Sequence, residues 1–81
     1  MNIQILGSGC PNCQNLEQNA REAAKMLGVE ATFEKVTNMD QIVEMGVMRT
    51  PGLAIDGTVQ KFGKVFTPDE IAETIKAYQA Q

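Results

Sequence analysis

Cys10 and Cys13 are the only cysteines of this 81-residue chain, and it has no histidine. Pro11 and Asn12 separate them. A pair so close can do one of three things. It can cycle between dithiol and disulfide, exchanging two electrons with another disulfide. It can hold a soft metal ion such as Cu(I) between two thiolates. Or the two can be incidental to a binding module. A zinc site asks for about four nitrogen or sulfur ligands, so no metal is expected as a resident ligand.

The position of the pair favours exchange. It follows a short apolar run and precedes a helical pattern, which puts Cys10 at the N-cap and Pro11 at the first helical position. The backbone N–H groups of Asn12 and Cys13 then have no partner inside the helix. A thiolate on Cys10 can accept from them, and the positive helix end favours its charge. An ordinary thiol has a pKa of about 8.5, so about 3% is thiolate at pH 7; lowering the pKa to about 7 makes it roughly half. Cys13 falls one turn later on the apolar stripe and is expected to be partly buried. Cys10 is thus suited to attack a disulfide and Cys13 to resolve the mixed disulfide.

The elements that position the pair alternate between strand and helix. Residues 2–6, "NIQIL", put Ile3 and Ile5 on one face and Gln4 and Leu6 on the other, as in a strand. A helix is expected from Pro11 to Leu27, with Cys13, Leu16, Ala20, Ala23 and Leu27 on its apolar stripe and Gly28 ending it. Val29, Ala31 and Phe33 alternate in a second strand over 29–36. A short helix over 39–45 follows, capped by Thr37 or Asn38, with Met39, Ile42 and Val43 as its stripe and Gly46 as its stop. Strands over 52–55 and 58–62 flank Asp56-Gly57, a two-residue hairpin turn. The last helix has Thr67 as N-cap, Pro68 at its first position and Glu70 completing a capping box. Its stripe is Ile71, Ala72, Ile75 and Tyr78. The class is α/β in the order β-α-β-α-β-β-α: a four-stranded mixed sheet with helices on both faces, in one domain over 1–81. Two β-α-β steps place the first strands in parallel, and the hairpin adds antiparallel ones.

Hydrophobic residues make up 43% and charged residues 21%, with a net charge of -3. The chain is expected to fold around a modest core, burying roughly 60% of its unfolded surface. The acidic balance argues against nucleic acid or an anionic membrane as partner. No apolar run is long enough to span a bilayer. The N-terminal stretch has neither the basic nor the long apolar region of a secretory signal. A cytoplasmic chain is expected, where a close cysteine pair is reactive more often than a permanent crosslink.

A strand, Cys-Pro-x-Cys at a helix start, and Thr-Pro before a hairpin together resemble the thioredoxin superfamily. "ILGSGCPNC" is similar to the glutaredoxin active-site stretch, and "RTPGLAIDG" to the segment carrying the superfamily's cis-proline. The resemblance runs from Asn2 to Tyr78. It implies that Cys10 is the nucleophile and Cys13 the resolving thiol, joined in the oxidised form as a redox-active disulfide. It implies that Pro51 is cis and faces them; local sequence alone would not, since only about 5–6% of X–Pro bonds are cis. Thr50 would pair its backbone with a bound substrate chain, and Pro51, Pro11 and Asn12 would complete the substrate contact. The implied activity is that of a small protein dithiol–disulfide oxidoreductase acting on disulfide-bearing proteins or small molecules. Its electron donor would be a disulfide reductase of the thioredoxin-reductase kind. No organic cofactor is expected, and a monomer is.

The chain departs from the pattern in places. Gly9 stands where thioredoxins have Trp, and Pro11-Asn12 where they have Gly-Pro. Gln4 stands six residues before Cys10, where they carry a buried acid that helps move the second thiol's proton; an amide cannot accept one. A buried, satisfied amide is one expectation for Gln4, tuning of proton transfer near Cys13 the other. Phe62-Gly63-Lys64 replaces the Gly-Gly of glutathione-binding relatives, and Asp69 follows late, which counts against glutathione as co-substrate. The soft-metal carrier stays open as the alternative, although copper-chaperone domains resemble β-α-β-β-α-β. Met39 fits the core. Met45 and Met48 fall off the stripe, either filling gaps or forming an apolar patch for partners. Lys25, Lys35, Lys61, Lys64 and Lys76 read as solvated surface.

Overall fold

In a computed structural model, which describes residues 1–7 and 11–80, seven elements follow in the expected order. They are β1 (Asn2–Leu6), α1 (Pro11–Leu27), β2 (Thr32–Val36), α2 (Met39–Glu44), β3 (Gly52–Ile55), β4 (Thr58–Phe62) and α3 (Pro68–Gln79). The strands form one sheet in the order β2-β1-β3-β4. β1 runs parallel to β2, while β1–β3 and β3–β4 are antiparallel.

The alternation of β1 sorts the core onto two faces. Ile3 and Ile5 join Leu53 and Ile55 of β3 against α1 (Leu16, Ala20, Ala23) and α3 (Ile71, Ala72, Ile75). Leu6 and Ala54 point the other way and meet Ile42 of α2 with Val36 and Val47. Helices thus cover both faces, as the pattern predicts. α3 begins in the expected capping box: Glu70 N–H donates to Thr67 Oγ1 and Thr67 N–H to Glu70 Oε1. Among the described residues no helix is long and apolar enough to cross a membrane.

Three expectations are corrected. The second strand starts at Thr32, not Val29. Gly28 N–H donates to Lys25 O and Val29 N–H to Ala24 O. This is a Schellman closure around Gly28 at φ +67, so Val29 belongs to the helix end. The short helix ends at Glu44 with Asn38 as its cap, the Asn38 side chain accepting from Asp40 and Gln41 N–H. Of its expected stripe only Ile42 is buried; Met39 and Val43 are exposed, because a six-residue helix lays barely one side chain on the sheet. Met45, off the stripe, packs half-buried against the Leu6–Ile42 cluster, filling a gap as one of its two expectations had it.

The second β-α-β step does not yield a parallel strand. α2 is about 9 Å long at 1.5 Å per residue, and that length goes into crossing the face of the sheet. The chain therefore enters β3 at the end where β1 and β2 finish, with Gly52 opposite Leu6. This reversal carries the segment before β3 to the end of the sheet where α1 begins.

Candidate active site

Two segments meet at that end. From α1 comes Cys13, only 5% exposed and on one stripe with Leu16 and Ala20. From the α2–β3 connection comes Thr50–Pro51, whose peptide bond is cis, as the resemblance implies. Pro51 is buried and Thr50 half-buried. Gly63 N–H donates to Pro51 O at 3.0 Å, tying this loop to the end of β4.

Gly7 lies between them. Its N–H donates to Val36 O at 2.9 Å, which holds the end of β1 against β2. A methyl group built on Gly7 would overlap Cys13 Sγ and stand 3.7 Å from Thr50 Cβ. Only a hydrogen fits there, so the backbone just past β1 forms the floor on which the sulfur rests. No role for Gly7 is legible in the sequence, and this one appears only when the Cys13 rotamer is known.

Cys13 also opens on a cavity of ≈ 50 Å³. Ile5 of β1 and Gly7 just past it line it, with Cys13, Gln14 and Glu17 from α1, and Lys35 and Thr37 from the β2 side. Glu17 clamps the two elements. Its Oε2 accepts from Arg21 Nε at 3.0 Å, and its Oε1 pairs with Lys35 Nζ at 3.3 Å. Arg21 in turn lies over the Phe33 ring of β2, 4.5 Å from its centroid. Burial pushes the Glu17 carboxyl up, but its bonds to Arg21 and Lys35 and their charges outweigh that and hold it below the ordinary carboxylate range. Lys35 stays largely exposed, as expected of surface, while its ammonium pairs with Glu17 at the cavity rim.

Pro11 and Asn12 are exposed at the start of α1. Cys10, with its expected place at the N-cap, lies outside the described residues. Gln4 is not a neighbour of Cys13. Ile5 faces α1, so Gln4 projects from the opposite face of the sheet, where its Nε2 donates to Glu34 Oε1 at 2.8 Å and its Oε1 accepts from Gly57 N–H at 3.0 Å. The amide is satisfied as one expectation had it, but it is half-buried and not buried; tuning of Cys13 by Gln4 is ruled out by this placement.

The model of the thioredoxin domain family matches residues 1–76. The chain belongs to the thioredoxin family. The thioredoxin of Methanothermobacter thermautotrophicus is 53% identical over 75 residues, covering 93% of this chain and 97% of that protein. The thioredoxin of Methanocaldococcus jannaschii is 40% identical over 76 residues, covering 94% and 87%. As a member of this family the chain is a small thiol–disulfide oxidoreductase. The soft-metal alternative gains nothing from these relatives, and the element order ends on a helix, unlike the copper-chaperone order.

Proposed function

We propose that Cys10 and Cys13 are the working dithiol of this oxidoreductase. Cys10 as thiolate attacks a substrate disulfide, giving a mixed disulfide. Cys13 then attacks the Cys10 sulfur, the substrate leaves reduced, and the Cys10–Cys13 disulfide remains. The observation that carries the reading is the meeting of Cys13 Sγ, Gly7 and Thr50 at one end of the sheet. It leaves the resolving thiol shielded and puts the loop that leads into β3 beside it. Thr50 and Pro51 receive the substrate chain on that segment, strand against strand, with Pro11 and Asn12 at the rim.

A disulfide reductase returns the electrons, and disulfide-bearing proteins receive them. The chain works as a monomeric domain over 1–81 in the cytoplasm, with no nucleic acid or membrane among its partners. Glutathione is a poor co-substrate, since Phe62-Gly63-Lys64 offers no paired glycines after the hairpin.

The test is a titration in glutathione buffers of stepped potential, with free thiols read by mass after alkylation, with and without Cu(I). A reversible loss of two hydrogens with a midpoint in the cellular range is expected. A dithiol that resists oxidation yet takes up one copper tightly would overturn the reading in favour of a metal carrier. A Cys10→Ser variant that exchanges as well as the parent would leave the cysteines incidental.

A further inference from the structure

Resolution of a mixed disulfide needs the Cys13 thiol to lose its proton. Its sulfur lies almost wholly out of bulk solvent, so the proton must leave through the side chains and water beside it. The cavity on which Cys13 opens has a volume of ≈ 50 Å³, and a water needs about 10–15 Å³ by such a measure. There is room for a bridging water.

The chemistry of the cavity wall narrows the acceptor. Lys35 is an ammonium with protons only to give; Gln14 and Thr37 are neutral and not basic at neutral pH; Ile5 and Gly7 offer no side-chain base. Glu17 alone among the described lining residues carries a base. It stands one turn beyond Cys13, at the i,i+4 spacing that makes helix side chains neighbours. It is 16% exposed, and Lys35 of β2 and Arg21 of α1 hold its two oxygens in place from either side.

We propose that Glu17 is the proton acceptor for Cys13 in the resolving step. The proposal rests on the dithiol reading above. The Cys13 S–H proton passes through cavity water to the Glu17 carboxylate. The electron pair left on Cys13 forms the bond to Cys10 Sγ. The bond from Cys10 to the substrate sulfur breaks, and its pair leaves on that sulfur, which takes a proton from solvent. Two electrons have then passed from the dithiol to the substrate, and Glu17 returns its proton to solvent. Lys35 and Arg21 keep Glu17 ionised until the step begins. Once Glu17 is protonated, the Lys35 ammonium is left to face the nascent thiolate, which it favours.

The sign of the effect separates this role from plain electrostatics. A carboxylate beside a thiol disfavours the thiolate, so deleting the Glu17 charge would by itself speed resolution. Loss of a base slows it, by about 10²–10⁴-fold in typical cases of general-base catalysis. The probe is an aromatic disulfide added to the reduced full-length chain, followed by stopped flow. The first thiolate released reports capture by Cys10, and the second reports resolution by Cys13.

Glu17→Gln should slow the second phase at least tenfold at pH 7, with the deficit closing as pH rises and solvent removes the thiol proton unaided. Glu17→Asp should fall between Glu17→Gln and the parent. A second phase in Glu17→Gln as fast as in the parent, or faster, overturns the proposal. So does equal slowing of both phases at every pH, the mark of a merely structural clamp. Should Glu17→Gln lose its far-ultraviolet helix signal, Glu17→Asp decides alone: a slower second phase with a profile moved to higher pH supports the role, and an unchanged profile overturns it. A parent that shows no second phase sinks the dithiol reading itself.

Discussion

The Tyr78 hydroxyl donates to Asp56 Oδ2 at 2.9 Å, while Asp56 Oδ1 accepts from Asn2 N–H at 2.8 Å. One carboxylate thereby joins the β3–β4 turn to the start of β1 and the end of α3. The backbone bond from Asn2 and that from Tyr78 hold the Asp56 carboxyl below its ordinary range. The bond to Asp56, with some desolvation, holds the Tyr78 phenol above its own. The two shifts act on opposite limbs. A lowered acid contributes stability above the ordinary carboxylate range and loses it as pH falls through the folded value. A raised phenol contributes below the ordinary tyrosine range and loses it as pH climbs through the folded value. Tyr78→Phe should therefore lower Tm by a few degrees at neutral pH and remove the extra alkaline loss. Asp56→Asn, which keeps an acceptor for Asn2, should flatten the acid limb. Thermal melts by circular dichroism from acid to alkaline pH read both; a Tyr78→Phe curve that overlies the parent would dismiss the staple.

Gly7 should be the most demanding glycine for function. Gly7→Ala puts a methyl into the space of Cys13 Sγ, where a small-to-large change in a packed site costs about 1–3 kcal/mol and the sulfur must move. Exchange should fall at least tenfold, with Cys13 still alkylated on unfolding. Gly28→Ala is the comparison. Its φ is +67 but nothing lies within 4 Å, so it should cost about 1 kcal/mol through the backbone alone and leave exchange in place. Insulin-reduction rates beside urea unfolding of both variants make the check; equal losses of exchange would mean that Gly7 acts only through stability.

The fold was legible wherever a local pattern and its tertiary use agree. The stripe of α1, the Asp56-Gly57 turn and the Thr67–Glu70 box are each specified within a few residues, and each stands as expected. Reading failed where long-range geometry decides. Met39 and Val43 have the spacing of a buried stripe, yet the shortness of α2 leaves both exposed. Gln4 counts six residues before Cys10, but strand alternation turns it away from α1, and no count along the chain reveals that without the sheet. Glu17 and Lys35 are 18 positions apart in sequence, and only the parallel pairing of β2 with β1 brings them to one cavity. The burial of Cys13 and the cis bond before Pro51 were readable because each follows from a local pattern or motif; the cavity walls around Cys13 depend on packing.

The capping box offers a stability test remote from the site. Thr67→Ala removes the side-chain acceptor for Glu70 N–H and should cost about 1 kcal/mol. Exchange by the folded protein should stay at the parent rate, since α3 contributes no residue to the Cys13 cavity. Urea unfolding with an unchanged slope checks the first part; a loss of exchange under native conditions would reveal coupling between α3 and the site.

Met45 and Met48 should now part company. Met45 packs against the Leu6–Ile42 cluster, whereas Met48 is 81% exposed, two residues before Thr50. Met45→Ser should destabilise by about 1 kcal/mol, in proportion to a partly buried methionine. Met48→Ser should change stability by less than about 0.5 kcal/mol, as for other exposed positions. If substrates dock across the loop before Pro51, their apolar surface meets Met48, a side chain flexible enough to fit varied partners. The ratio of exchange rates with a protein disulfide and with a small aromatic disulfide should then fall several-fold in Met48→Ser. A ratio equal to the parent's would leave Met48 as exposed surface with no part in docking.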